Sequence, residues 1–172
     1  MDRKGVTQIV ALLLSGLMAG LLFGDWLGPS FARARMSPSS FIEFQQIVHL
    51  NYLLTLPALS WLAIVATVLW LFMVRSRRDS LEFRALLAAG AAIIVGQAIT
   101  FILNVPINNQ LETWSVAVPP ENAREIWSQW EHAHVIRTVL WMVGFFLEVV
   151  AAVASARLSL TGRSPSKPGV AA

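Results

Sequence analysis

The chain contains no cysteine, which removes disulfides, thiolate metal sites, iron–sulfur clusters and thiol redox chemistry from consideration. Charge is scarce too. Asp, Glu, Lys and Arg make up 13% of the residues, against roughly 25% in an ordinary soluble domain. There are three His and a single Tyr, so any catalytic device has to be assembled from His, carboxylate, Arg, amide, Trp or that Tyr. No glycine-rich phosphate loop, nucleophile elbow or nucleotide motif occurs, and hydrolytic or ATP-driven chemistry has no support.

Apolar sequence fills the chain instead. Of 172 residues 56% are hydrophobic, and the mean hydropathy is +0.61. Four stretches, Gln8 to Leu27, His49 to Val74, Ala85 to Leu103 and Val135 to Leu158, each approach the ~20 apolar residues that cross a bilayer at ~1.5 Å rise per residue. The expected fold is all-α, a four-transmembrane-helix bundle forming one domain over residues 1–160, with a Ser, Pro, Gly and Lys tail over 161–172 expected to be disordered. Arg3 and Lys4 before the first run, and Ala32-Arg33-Ala34 after it, imitate a cleavable signal. The run is too long for one and Asp25 interrupts the approach to the cleavage site, so it reads as the first span.

The basic residues set the orientation. Arg3, Lys4, Arg75, Arg77, Arg78, Arg84, Arg157, Arg163 and Lys167 fall on one side of the four spans, and only Arg33, Arg35, Arg124 and Arg137 on the other. The positive-inside rule then places both termini in the cytoplasm of a multi-pass protein of the plasma (inner) membrane. A net charge of +3 is topology charge on this reading, and no nucleic-acid partner is expected.

Local signals refine the spans. Gly24-Asp25-Trp26-Leu27-Gly28-Pro29 ends the first, and a second helix begins in the interface near Phe41, with Ser39 or Ser40 as its N-cap. The third is rich in Ala and Gly, which suits close approach to a neighbour. A connector follows from Asn104 to about Pro120, where a helix restarts, with Ile126, Trp127, Trp130 and His134 on one face. Trp26, Trp114, Trp127 and Trp130 fall where an aromatic belt would lie.

All four spans place polar residues at the same, outer end: Asp25, then His49 and Asn51, then Asn104 and Asn108, then His134 and Arg137. Ionisable residues in a bilayer cost about 2.5 to 3.5 kcal/mol and usually face the bundle interior or water. A functional pocket and a merely wetted set of helix ends are both open on this pattern. His134, Arg137, Trp141 and Glu148 share one stripe of the last helix, which should point inward, with Gln97 available to Glu148. Glu148 reads as a polar contact within the bundle before it reads as a catalyst. A metal is the sharper alternative, with His49, His134, Glu131 and Asp25 as ligands. No paired His spacing supports it, so no metal residue is assigned and no cofactor is predicted. His132 reads as a surface residue.

The segment Asn104-Val105-Pro106-Ile107-Asn108-Asn109-Gln110-Leu111, followed by Trp127, Trp130 and His134-Val135-Ile136-Arg137-Thr138, resembles the small membrane proteins grouped as domain of unknown function 1772, the anthrone oxygenase-like family. The resemblance implies a four-helix integral membrane protein. Some relatives are assigned to oxidation of polyketide anthrones to anthraquinones with dioxygen, without metal or flavin. Carried over by position, Asn104, Asn108, His134 and Arg137 are the family residues.

The chemistry has a physical form. An anthrone is acidic at the carbon opposite its carbonyl, so His134 or His49 can act as base while Arg137 and the amides of Asn104 or Asn108 hold the enolate oxygen. Trp141, Asp25, Asn51 and Trp130 are the expected substrate-binding residues. Two other classes stay open: a non-enzymatic module that binds a quinone or lipid-like ligand or a partner protein, and a metal-dependent membrane oxidoreductase. A transporter is disfavoured, because four spans without broken-helix pairs give too little pathway.

Overall fold

The computed structural model describes residues 2–161, with side chains described through residue 157; the tail expected at 161–172 lies almost wholly outside them. Helices α1 (Arg3–Leu27), α4 (Thr55–Met73), α5 (Leu81–Ile99) and α7 (Ala123–Thr161) form the bundle. They pack in a closed ring, α1 on α4, α4 on α5, α5 on α7 and α7 on α1. Short α2 (Pro29–Arg33), α3 (Pro38–Tyr52) and α6 (Val105–Leu111) decorate one end, and no strand occurs among the described residues. Four helical stretches are long and apolar enough to cross a membrane. Large apolar side chains face outward along them, including Leu13, Leu17, Leu62, Ile94 and Phe146, the inverse of a soluble surface. The protein is a multi-pass membrane protein embedded in a lipid bilayer.

Small residues do bring α5 and α7 together. Ala85, Ala89 and Gly96 are buried on α5, and a Cβ placed on Gly144 of α7 would lie 2.5 Å from Ile93 Cγ1. The inward stripe of α7 is also present: His134, Arg137, Trp141 and Glu148 are all buried. Glu148, however, accepts from Thr67 of α4 and faces Ser15 of α1 rather than Gln97.

The structure differs from the sequence reading in three respects. The second apolar stretch is two helices, with a turn at Leu53–Leu54 separating α3 from α4, so His49 sits on the short α3 and the spanning helix starts at Thr55. The N-cap of α3 is Ser37, whose hydroxyl accepts from Ser40 N at 3.2 Å. Pro38 then takes the first helical position, where its missing N–H is harmless.

The third span does not stop at Leu103. Pro106 cannot donate to the carbonyl four residues back and would crowd it, and the helix absorbs this in a π turn, Thr100–Asn104. The N–H of Val105 reaches the carbonyl of Thr100, five residues back. The extra residue rephases the helix, buries Asn104 completely and lets α6 continue to Leu111.

The third difference is the role of the tryptophans. Trp26 is 37% exposed, as a belt residue should be, whereas Trp114, Trp127 and Trp130 are buried. With Phe41, Ile42, Leu111 and Ala123 they form a compact cap over one end of the bundle. Gln46 of α3 pins the cap by donating to the carbonyls of Leu111 and Trp114, both at 3.0 Å. Helix α7 has 39 residues, about 58 Å at 1.5 Å per residue, so it outruns a ~30 Å hydrocarbon core and carries the cap on its first turns.

Candidate functional site

Beneath the aromatic cap, α1, α2 and α7 hold a connected set of charged groups. Arg33, 1% exposed, is its hub. Its guanidinium grips Asp25 with two bonds of 2.9 and 2.7 Å, and its Nε donates to Glu131 at 3.0 Å. Ser30 and Trp127 also donate to Glu131, at 2.7 and 2.9 Å. Arg33 therefore leaves both carboxylates satisfied, as a buried charge requires. Arg124 anchors the chain around it by donating to the carbonyls of Arg33, at 2.8 Å, and Met36.

One turn deeper on α7, Arg137 is 7% exposed and has a different environment. Its Nε and Nη2 lie 3.2 and 3.1 Å from Nδ1 of His134, and its Nη1 donates to Thr100 Oγ1 at 3.3 Å. Among the described residues no carboxylate lies within ion-pair distance of it. A guanidinium only donates, so Nδ1 of His134 carries the lone pair and the ring is the neutral tautomer with its hydrogen on Nε2. That nitrogen lies 3.3 Å from Asp25 Oδ2, out of line for a hydrogen bond. The imidazole stacks on Trp130, centroids 4.9 Å apart, and Trp130 on Trp127 at 4.3 Å.

Arg137 borders two adjoining hollows. The larger, about 280 Å³, is lined by His49, Gln97, Thr100, Asn108, Trp130 and Arg137, with Met18, Leu53, Leu56 and Phe101 supplying apolar wall. It sits at the lower edge of the roughly 300 to 1,000 Å³ typical of small-molecule sites. The smaller, about 50 Å³, is lined by Asp25, Gln45, Tyr52, Trp130, His134 and Arg137, among others. A groove of about 530 Å³ also runs outside α2 and α7 past Trp26, Arg124 and His132. It is open, and its most polar groups, Arg33 and Glu131, are already paired.

The structure thus brings five of the other eight sequence-derived site residues to the hollows that Arg137 borders. His49, Asn108 and Trp130 line the larger hollow with it, and Asp25 and His134 the smaller. Asn104 lies in the wall between α5 and α7, where its amide donates to the Trp130 carbonyl at 3.1 Å and its Oδ1 has no partner. Asn51 is exposed and donates to Ile47 O of its own helix. Trp141 is fully buried deeper in the bundle with Met18, Leu22 and Ile93, against Gly96, and borders neither hollow. Of the set His49, His134, Glu131 and Asp25, His134 and Asp25 lie 3.3 Å apart while Glu131 is held by Arg33, and no cluster of three or more His, Asp or Glu suited to a metal occurs among the described residues.

Four polar residues at the site were not among its expected members, and one of them, Gln97, was expected to meet Glu148 instead. Arg33 reads in the sequence as an outer-loop charge, and only the return of α2 over α1, forced by Gly28-Pro29, buries it. Gln45 lies i−4 from His49 on α3, a spacing that marks a shared face. Thr100 and Gln97 lie on the third span one and two turns before Asn104, and only the π turn fixes which of them faces the site.

A polar pocket sealed by an aromatic cap at one end of a four-helix membrane bundle defines the class: a small integral membrane protein with a buried site near one membrane face. The chain matches the anthrone oxygenase family over residues 44–147, more than half its length, and belongs to that family. The matched region includes the π turn, the three cap tryptophans, His49, Asn108, His134 and Arg137. No curated protein and no solved structure matches the chain.

Proposed function

We propose that the protein is a cofactor-independent oxygenase of a lipophilic aromatic substrate, held in the larger hollow with its enolate oxygen on Arg137. The observation that carries this reading is the pairing of a buried cation, in ion-pair contact with no carboxylate among the described residues, with a largely apolar hollow that also contains an imidazole. A buried guanidinium without a direct ion-pair partner is costly, and an anionic oxygen is the ligand that would relieve it. Asn108 supplies a second polar group on the same wall.

The division of labour follows from the hydrogen bonds. His134 accepts from Arg137 through Nδ1, so it positions the guanidinium, and His49 is the base available to a molecule in the larger hollow. His49 takes a proton from the acidic ring carbon and Arg137 holds the charge that moves onto the carbonyl oxygen. The electron pair left on carbon forms a C–O bond with dioxygen, giving a substrate peroxide. Loss of the second hydrogen from that carbon as a proton, with cleavage of the O–O bond, leaves a new carbonyl and hydroxide, which is protonated. The balance is one dioxygen consumed and one water released per quinone formed. The carbanion reduces dioxygen itself, so the reading requires neither metal nor flavin.

The site end faces outward, by the distribution of Lys and Arg, and a flat lipophilic substrate reaches it from the adjoining leaflet. The test is turnover of an anthrone by the purified protein in detergent or nanodiscs, followed by quinone absorbance and oxygen uptake. Saturable binding without turnover would assign the hollow to a ligand-binding module instead. Activity that disappears with chelation and returns with one metal would assign it to a metal-dependent oxidoreductase.

A further inference from the structure

At the end of the bundle opposite the hollows, a trough of about 470 Å³ runs between the start of α5 and the last turns of α7. Leu81, Val149 and Val153 give it an apolar wall, and Ser80 and Arg157 border it as well. Leu81 and Arg157 end the apolar, membrane-length stretches of their helices, so the trough begins at a membrane surface. Val149, Val153 and Arg157 follow one another at four-residue spacing on one face of α7. From Arg157 back to Val149 that face descends about 12 Å into the hydrocarbon. A cation at headgroup depth thus stands over two turns of open apolar surface, with Val149 and Val153 37% and 49% exposed.

Positive charge is concentrated at this end. Arg75, Arg77, Arg78 and Arg84 lie exposed on and beside the turn between α4 and α5, and Arg157 is exposed too. The carboxylates there are already engaged. Glu82 is fully buried and paired with Lys4 at 2.7 Å, Asp79 lies 3.5 Å from Arg84, and Asp2 caps α1 by accepting from Gly5 N. Glu148, next to Val149 in the chain, is fully buried and bonded to Thr67, and no acidic side chain follows it. The occupant that fits is apolar along its length and negative at its end. The residues beyond α7 bring Arg163 and Lys167, the wrong sign of charge. A second copy in the same membrane orientation would set these arginines against their own kind.

We propose that the trough is a binding site for one anionic phospholipid of the adjoining leaflet, held more tightly than the lipid that merely surrounds the bundle. Its phosphate meets Arg157, inside the positive field of the arginines between α4 and α5, and one acyl chain lies along Val153 and Val149 against Leu81. Basic pockets between transmembrane helices hold anionic headgroups by this combination of charge and apolar wall. The lipid fills the seam between α5 and α7 that their side chains leave open at this end. The site is independent of the oxygenase reading, since it shares no residue with either hollow.

The probe is phosphatidylglycerol with palmitoyl and oleoyl chains, and phosphatidylcholine with the same chains is its neutral control. The full chain, stripped of lipid in a neutral detergent, is given either lipid and weighed by native mass spectrometry. The expected result is one phosphatidylglycerol retained per chain, about tenfold more than phosphatidylcholine at equal concentration. Arg157→Gln, which removes the headgroup cation, lowers that retention about fivefold or more. Val153→Trp, which fills the trough and leaves every charge in place, does the same. Both variants are compared with wild type for helicity by circular dichroism, and the comparison of the two lipids on wild type needs no variant. Equal retention of the two lipids overturns the proposal. So does a Val153→Trp protein that holds phosphatidylglycerol as well as wild type, because the attraction is then diffuse and belongs to the basic turn alone. A dimer that carries no lipid would give this face to a second copy of the chain and overturn it too.

Discussion

Arg137 and His134, one turn apart on α7, are joined by two hydrogen-bond contacts of 3.2 and 3.1 Å from the guanidinium to Nδ1 of the imidazole. The pair fixes the tautomer of the histidine and the orientation of the arginine at once. It also divides the site, leaving the guanidinium on the border of both hollows and the free N–H of the imidazole beside Asp25. In the proposed reaction this pair makes His134 a holder of Arg137 and gives His49 the part of base.

Substituting Arg137 separates charge from geometry. Arg137→Lys keeps the cation and loses the two-pronged contact with His134. We expect kcat to fall about 10²- to 10³-fold, the usual cost of one oxyanion donor, with the variant still folded by circular dichroism. Arg137→Gln should lose at least as much. A Lys variant with unchanged kcat would remove Arg137 from the reaction.

Arg33 should matter more to the fold than a loop arginine does. Arg33→Gln leaves Asp25 and Glu131 without their counter-charge beneath the cap, and breaking such a buried set costs about 3 to 5 kcal/mol. The expected result is a clear drop in Tm in detergent, together with a loss of turnover because Asp25 and the cap both shift. Wild-type Tm would show that water replaces the guanidinium at no cost.

The opposite end of the bundle carries an independent latch. Glu82, fully buried, accepts from Lys4 at 2.7 Å, Gln8 at 3.3 Å and Trp70 at 3.1 Å, and so ties α1, α4 and α5. Lys4 and Gln8 also donate to Ser155 of α7. Glu82→Ala should destabilise the protein by about 3 kcal/mol, read as a lower Tm, while KM for the substrate stays at the wild-type value below the melting transition. A changed KM would mean that the two ends communicate.

Helix approach gives a further test. A methyl at position 144 would lie 2.5 Å from Ile93 Cγ1 and 3.4 Å from the Ala89 carbonyl, so the α5–α7 seam has to open. Gly144→Ala should cost about 1 to 3 kcal/mol, as overpacking does. Ile93→Val should recover part of the loss in the double variant by giving that methyl room. Additive losses would mean that the strain is relieved elsewhere.

Orientation is open to clean labelling because the chain has no native cysteine. In intact cells, Arg77→Cys should resist an impermeant maleimide and Glu112→Cys should react. The reverse pattern would invert the topology and place the site at the cytoplasmic face.

Much of this arrangement was legible in the sequence, and the rest has identifiable reasons. Hydropathy gave four spans because the bilayer demands continuous apolar length, and the inward stripe of α7 followed from helical periodicity through His134, Arg137, Trp141 and Glu148. The π turn was not legible. Pro106 signals a disturbance, but a proline can end a helix or be absorbed by it, and packing against α7 decides. The break at Leu53–Leu54 has no glycine or polar residue to mark it. The burial of Trp114, Trp127 and Trp130 depends on a tertiary cap, which hydropathy cannot distinguish from a surface belt. Arg33 carried no signal beyond its charge, since its partners lie 8 residues back at Asp25 and 98 residues on at Glu131.

The most direct test of the central claim is oxygen uptake by the purified, chelator-treated protein supplied with an anthrone, comparing wild type with His49→Ala. The account predicts one dioxygen consumed per quinone formed by the metal-free wild type, and a rate at least 10²-fold lower in the variant. Equal rates for the two proteins, or no uptake above the uncatalysed background, would contradict it.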